Sequence, residues 1–525
     1  MTKEPIARAI ENKVPTARTV ERDLSKMAAT VDELIHDPIG WAQVRLAGGW
    51  KRLMMATGGY ALVSLVVHVL IYRLIREEVT LPRFADAALN VNLMIAAAFI
   101  FFVGTGAIKK AIQRDFTSEM ISSHRRTSMS GATACMGYLT GPLAQAMMVT
   151  FVNWLICTLL ARMGTTPLGQ SPVGMIGLFA VMLVMGLSWW TFALLTGLCT
   201  RGKVSVAPLI VCVFIATNAK FIYIVPGLAM LFGSSIATDL IDQSSLATIA
   251  WWLMFSVFAQ LGFALIFFVA SARKYHHDDL AAFDPLLAMA LAALSGLVGG
   301  VGLRFWQPRT TFFLPNEIFN EPSNWMFLTT LLLTFVLMVP VASAAFHHAV
   351  WSRRQALDPL FREKRPLNYW AGALLACILG FGVLTAVAGR DWSRLLETEN
   401  WQIVEARLCA ALAASFLTLL TLGGVLRFVY AASPKALWAI VLFVIATWAI
   451  PPFADASLDA MRELDLDGPR SILFTASPVG TWLWAFKNFD APVWSGLIVQ
   501  GVLALGAMVL ASRAKYAGRV MKNSE

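Results

Sequence analysis

Residues 53–75 read LMMATGGYALVSLVVHVLIYRLI, with no charge before Arg73. A helix needs roughly 20 mostly apolar residues to cross a bilayer. A helix of a water-soluble protein has no reason to be apolar on every face. This stretch is apolar all round, and it is the first of about twelve. The others fall at 88–108, 134–161, 173–200, 204–232, 247–271, 283–304, 325–350, 368–388, 402–429, 435–453 and 492–512. Composition agrees, with 58% hydrophobic residues, 14% charged and a mean hydropathy of +0.65.

The gaps between these segments fix an expected orientation. Lys and Arg crowd into alternate gaps: Lys109, Lys110, Arg114, Arg125 and Arg126, then Arg201 and Lys203, Arg273 and Lys274, Arg353 to Arg365, and the tail from Arg513 to Lys522. The intervening gaps carry acids such as Glu77, Glu78, Asp86, Asp239, Asp242, Glu317 and Glu321. By the positive-inside rule both termini are cytoplasmic, and an even number of spans fits the two ends. Residues 1–52 are too long and too charged for a cleavable signal peptide, so the first span reads as an uncleaved anchor. The net charge of +10 is explained by loops facing anionic lipid head groups rather than by nucleic acid. The six cysteines lie in or beside spans without CxxC spacing, which excludes a disulfide or metal framework.

The expected fold is an all-α polytopic membrane protein of about 12 transmembrane helices in a 6+6 arrangement. Two echoes support the repeat. Val269-Ala-Ser-Ala-Arg-Lys-Tyr275 and Leu510-Ala-Ser-Arg-Ala-Lys-Tyr516 both end a sixth span with ASxxKY. Leu194-Leu195-Thr196 is echoed by Leu419-Leu420-Thr421. The divisions are residues 1–29, a flexible cytoplasmic N-terminus; 30–275, a first six-span half; and 276–525, a second. Val31, Leu34, Ile35, Ile39, Trp41, Val44 and Leu46 alternate with polar residues and suit a cytoplasmic interfacial N-terminal helix, interrupted at Asp37-Pro38 and Gly48-Gly49.

The gap between spans two and three reads KKAIQRDFTSEMISSHRRTSMS from Lys109 to Ser130. Ile112, Phe116 and Met120 recur every four residues with Ile121 beside them, one apolar stripe on a helix, with Arg114 and Glu119 on other faces. Such a helix lying under the bundle offers a surface to a soluble partner.

This segment resembles the coupling segment of ABC-2 type ABC transporter permeases. In that family an acidic residue and two large apolar residues precede a Thr-Pro-Leu-Ser-like motif that leads into the third span. Here Glu119-Met120-Ile121 is followed by Thr127-Ser128-Met129-Ser130, with Ser128 in place of the usual Pro. Gly137 and Gly141 open the third span, and Ser477-Pro478 precedes the last. The resemblance covers 30–275 as one permease half and 276–525 as a more divergent second half, with Leu357, Leu360 and Phe361 at its coupling position. It implies the membrane subunit of an ATP-driven exporter in a bacterial cytoplasmic (inner) membrane. It implies an ABC ATPase as a separate partner and no cofactor on this chain. One chain then supplies the whole pathway, or two copies pair as a homodimer.

The chain has no ATPase motif of its own. Gly197-Leu-Cys-Thr-Arg-Gly202-Lys203-Val204 has P-loop spacing, but Val204 stands where Ser or Thr must meet Mg²⁺ and the segment ends an apolar span. Polar residues inside spans mark a candidate substrate path, because an unpaired polar group in lipid is costly. Asn153, Asn218, Lys220 and Gln260 are the strongest, with His68, Gln145, Glu405 and Arg407 as further polar positions. His276-His277-Asp278-Asp279 reads as a solvated loop rather than a metal site. Two other functions remain: a secondary transporter of 6+6 architecture, and a polytopic enzyme acting on lipid substrates. No mid-membrane carboxylate favours the first, and no constellation of Asp, Glu and His favours the second.

Overall fold

The computed structural model describes residues 38–46, 48–126, 129–165, 172–200, 246–276, 281–304, 330, 333–334, 336–345, 347, 367–388, 401–432, 443–461, 471–487 and 492–522. Every regular element among them is helical. Eight helices are long and apolar enough to cross a membrane: Gly49–Ile75, Leu81–Thr117, Ala144–Met163, Met175–Thr200, Val257–His276, Trp370–Val387, Ala406–Phe428 and Val493–Ala511. Two shorter apolar helices, Pro285–Val301 and Val336–Ala345, fall in two further expected spans. The expected span 204–232 lies outside the described residues, and 325–350 and 435–453 are described only in part. These helices are consistent with an integral membrane protein.

The contacts divide the chain into two compact units. The first comprises Met1–Thr165, Trp189–Ala207 and Ser271–His276. It opens with α1, Pro38–Leu46, in which Pro38 occupies the first turn, where its missing N–H costs nothing. Gly48, at φ +108°, ends α1 and turns the chain into α2, Gly49–Ile75. That φ is one L side chains rarely adopt, which is why glycine suits this turn. Only 6% of the apolar window of α2 is buried. Leu62, Leu65, Leu70 and Leu74 face outward, where lipid takes the place of a protein core.

The next span, α3, runs from Leu81 to Thr117, 37 residues. At 1.5 Å per residue it is about 55 Å long, well beyond the roughly 30 Å hydrocarbon core. Its last two turns, from Lys109, are therefore a polar extension of a spanning helix. A π turn at Phe99–Val103 interrupts it. The Trp190 indole N–H donates to the Ile100 carbonyl at that turn, at 2.8 Å. Gly104 makes the room: a Cβ on it would lie 2.6 Å from Trp190 Nε1. After a short α4, Met120–His124, come α5, Gly131–Thr140, and α6, Ala144–Met163.

One correction falls here. The reading of 134–161 as a single span gives way to two helices separated by a turn at residues 141–143. Pro142 has no N–H for the helical ladder. Gly141 meets α1 so closely that a Cβ would lie 2.5 Å from the Gly40 carbonyl oxygen.

The second unit comprises Thr166–Ser188, Pro208–Ala270 and His277–Glu525. Helices α7, Pro172–Thr200, and α8, Leu246–His276, contribute to both units. Within the second, α9, Pro285–Arg304, packs along α11, Leu367–Ala388; α10, Val336–Ala345, lies between them in sequence. Small residues set that approach, as in other membrane helix pairs: a Cβ on Gly296 would lie 2.2 Å from the Gly380 carbonyl oxygen. Likewise α12, Trp401–Ala432, packs along α16, Val493–Lys522, with Gly424 against Ala507. Between α12 and α16 in sequence lie a π turn, Ile445–Ala449, and the helices α13, Ile450–Met461, α14, Ile472–Ala476, and α15, Pro478–Lys487. The buried Asp455 carboxylate accepts from the Ser471 N–H at 3.1 Å and from its hydroxyl, which ties α13 to the start of α14.

Candidate functional site

The polar end of the first unit gathers around one carboxylate. Ile108, Ala111, Ile112 and Asp115 share a face of α3, and all four are buried. An acid on an apolar stripe must find partners inside the protein. Asp115 finds two through one oxygen: Gln43 Nε2 of α1 donates to Oδ2 at 2.9 Å, and the Tyr138 hydroxyl of α5 donates to the same atom at 2.7 Å. Arg114 supplies opposite charge, its Nε 3.5 Å from Asp115 Oδ1, while its Nη2 donates to Gln43 Oε1. Two helices from other parts of the sequence, α1 and α5, are thus held to the α3 extension by one buried group.

A second set of contacts continues the collar. Arg125, just after α4, donates from Nε to the Tyr275 carbonyl at 2.6 Å, and its guanidinium stands over the Tyr275 ring. Ser130 caps α5 by accepting from the Thr133 N–H at 3.0 Å. The Gly131 N–H donates to His276 Nε2 at 2.9 Å, which requires an unprotonated Nε2. A Cβ at Gly131 would lie 2.4 Å from the Ala272 carbonyl oxygen. His276 therefore ends α8 and holds the start of α5, in place of the solvated loop expected for it. Residues 277–279 lie outside the described residues.

The helix expected to carry one stripe through 112–121 is broken. α3 stops at Thr117, and Glu119 takes a left-handed conformation with φ +58°, the only non-glycine residue with positive φ among the described residues. The Ser118 N–H closes the helix on the Arg114 carbonyl at 2.9 Å, and the Glu119 carbonyl accepts the Ser122 N–H to begin α4. The break divides the stripe. Ile112 and Ile121 are fully buried, with Ile112 against Gly197, where a Cβ would lie 2.7 Å from Ile112 Cδ1. Phe116 and Met120 are partly exposed, and Glu119 is exposed between them. Met129 and Ser130 are partly exposed; Thr127, Leu357, Leu360 and Phe361 lie outside the described residues.

Among the candidates for a substrate path, Asn153 is buried in a network inside the first unit. It accepts from the Tyr60 hydroxyl of α2 at 2.6 Å and donates to the Asn92 carbonyl of α3 at 2.5 Å. Asn92 donates to the Ala88 carbonyl at 2.7 Å and meets His68 Nε2 at 2.7 Å. His68 Nδ1 in turn lies 2.6 Å from the Ser64 carbonyl, so Nδ1 carries the proton and Nε2 accepts. Gln260, partly exposed in the second unit, accepts from Ser188 at 2.6 Å. Asn218 and Lys220 lie outside the described residues. Sequence reading did not single out Asp115, Gln43, Tyr138, Tyr60 or Asn92. The usable signal for Asp115 was its i, i+3 and i, i+7 relation to Ile112 and Ile108.

No set of three or more His, Cys, Asp or Glu side chains is placed to hold a metal among the described residues. The chain matches no family model, no curated protein and no solved structure.

Proposed function

We propose that this chain is the membrane-spanning permease subunit of an ATP-driven exporter, coupled to a separate ABC ATPase. The observation that supports this reading is the α3 extension. It is a continuation of a spanning helix, clamped through Asp115 to α1 and α5 and sharply turned at Glu119. It presents Phe116, Glu119 and Met120 outward. Such an extension joins its tip directly to the membrane-spanning part of the same helix. A non-glycine residue held in the left-handed region at an exposed tip is the kind of local strain that accompanies a functional contact. The positive-inside pattern puts this tip and both termini in the cytoplasm, where a nucleotide-binding partner resides. Within the 112–121 stripe, Phe116, Glu119 and Met120 are the residues left to meet a partner, since Ile112 and Ile121 are buried in the interior. The experiment is co-expression with an ABC ATPase encoded beside this chain. The two should co-purify, and the chain alone should hydrolyse no ATP above background. Robust hydrolysis by the pure chain would reject the reading.

A second reading is a secondary active transporter. The network Tyr60–Asn153–Asn92–His68 favours it, because neutral polar groups inside spanning helices are the raw material of a solute path. Solute uptake or efflux that follows an ion gradient in vesicles free of ATP would select it.

A further inference from the structure

Within the second unit, between α12, the π turn Ile445–Ala449 and α16, lies a cavity of about 20 Å³, room for one water-sized body. Its lining includes Thr418, Thr421, Phe443, Thr447, Trp448 and Gln500. Apart from the Thr418 hydroxyl, the polar hydrogens of Gln500, Thr421 and Thr447 at this site are already committed. Both amide hydrogens of Gln500 are used, donating to the Thr475 carbonyl at 2.8 Å and to Thr481 Oγ1 at 2.9 Å. Reversing the amide would set Oε1 against the Thr475 carbonyl oxygen, so Oε1 is the free end. The Thr421 hydroxyl donates to the Leu417 carbonyl at 2.7 Å and the Thr447 hydroxyl to the Phe443 carbonyl at 2.8 Å. What these residues have left is mostly lone pairs. Gln500 Oε1 and Thr418 Oγ1 are buried without a hydrogen-bond partner, in side chains each 4% exposed.

Two unpaired buried oxygens in one small chamber are costly unless something fills it. The chamber is rich in acceptors, and one hydroxyl hydrogen, that of Thr418, is uncommitted among the four polar lining residues. It favours an occupant that brings positive charge and accepts nothing. Among the described residues the lining holds no carboxylate, which does not suit a divalent ion. Phe443 and Trp448 complete the lining with aromatic surface. The π turn and the non-helical Ser477 between α14 and α15 place irregular backbone beside the chamber, the setting in which neutral oxygens hold monovalent ions inside membranes. We propose that this cavity is a binding site for a single, largely dehydrated monovalent cation, held by Gln500, Thr418 and the threonine hydroxyl oxygens beside them. The site is independent of the exporter reading and stands or falls separately from it.

The test uses the full-length protein in lipid nanodiscs, with choline chloride replaced by NaCl or KCl at constant ionic strength. Thermal unfolding is followed by tryptophan fluorescence, and ²²Na⁺ binding is measured directly. The decisive variant is Thr418→Val, which is isosteric and removes a hydroxyl that makes no hydrogen bond within the protein. The wild type should show a saturable rise in Tm with Na⁺ or K⁺ over choline. In Thr418→Val the midpoint of that rise should move at least tenfold higher in concentration, with Tm in choline unchanged or raised. Gln500→Glu, which adds charge at the same place, should move the midpoint lower. A water-filled cavity predicts equal Tm in all three salts and no ²²Na⁺ binding, and that result overturns the proposal. A cation effect with the same midpoint in wild type and both variants would place the ion elsewhere and overturn it as well.

Discussion

The side-chain amide of Gln43 donates to the carboxylate of Asp115 at 2.9 Å, joining positions 72 residues apart. Tyr138 donates to the same oxygen, so a short helix, a spanning helix and a third helix share one acceptor. Gln43→Leu and Tyr138→Phe should each destabilise the first unit by about 1–3 kcal/mol, the cost of leaving a buried carboxylate short of donors. Because the two donors serve one atom, the double variant should depart from the sum of the singles. Thermal unfolding in detergent measures both; wild-type Tm in both single variants would show that the clamp carries no stability.

Phe116→Asp should separate assembly from folding. The residue is partly exposed at the tip of the α3 extension, so the chain should still insert and fold. Loss of a large apolar anchor should weaken partner binding by about 2 kcal/mol or more. Ile112→Asp is the contrasting variant: Ile112 is fully buried, and a charge there should abolish folding. Partner pull-down and substrate-stimulated ATPase, with Leu360→Asp in the second half alongside, check the assignment. Normal assembly and stimulation in Phe116→Asp and Leu360→Asp would reject it.

Glu119→Gly should raise stability by about 1 kcal/mol, since a left-handed conformation costs an L-residue of this size roughly that much. If Glu119 is also part of the partner contact, the same change should lower ATPase stimulation while Tm rises. A fall in Tm would mean that the side chain, rather than the turn, holds this corner.

Two glycines should respond oppositely. Gly141→Ala puts a Cβ 2.5 Å from the Gly40 carbonyl oxygen, a backbone atom that cannot swing aside, and should cost about 1–3 kcal/mol. Gly106→Ala meets nothing within 4 Å on the same unit's α3 and should stabilise by about 0.5–1 kcal/mol. Equal effects on Tm would refute the close approach of α5 and α1.

Orientation is tested by cysteine labelling in intact cells. Asp465→Cys and Glu317→Cys should react with an impermeant reagent from outside, while Lys110→Cys and Lys515→Cys stay protected. Labelling at 110 from outside would invert the topology drawn from the positive-inside rule.

The membrane character of the chain was legible from one-dimensional pattern alone. Whether a 20-residue stretch is apolar on all faces needs no knowledge of its neighbours, and all eight apolar helices described overlap segments read from the sequence. The turn at Gly48-Gly49 was equally local, because glycine carries its backbone preference with it; residues 30–37, before the interruption expected at Asp37-Pro38, lie outside the described residues. The π turn in α3 was not legible. It depends on Trp190 of a later helix taking the Ile100 carbonyl.

The candidate site divides in the same way. Four-residue spacing placed Ile112, Phe116 and Met120 together, and it cannot tell an outward stripe from an inward one. Tertiary packing decided that Ile112 and Ile121 belong to the interior and that the chain turns at Glu119. Asp115 passed as one more charge in a basic loop; its role exists only because α1 and α5 bring Gln43 and Tyr138 to it. Gln500 and Thr418 are ordinary polar positions in their spans until the Thr475 carbonyl and Thr481 take the Gln500 amide hydrogens and leave its oxygen facing no partner. The sequence by itself determined what each segment is dissolved in, since transfer between water and lipid is nearly a sum over residues. Which polar atoms are satisfied is a property of pairs distant in the chain, and only the tertiary structure decided it.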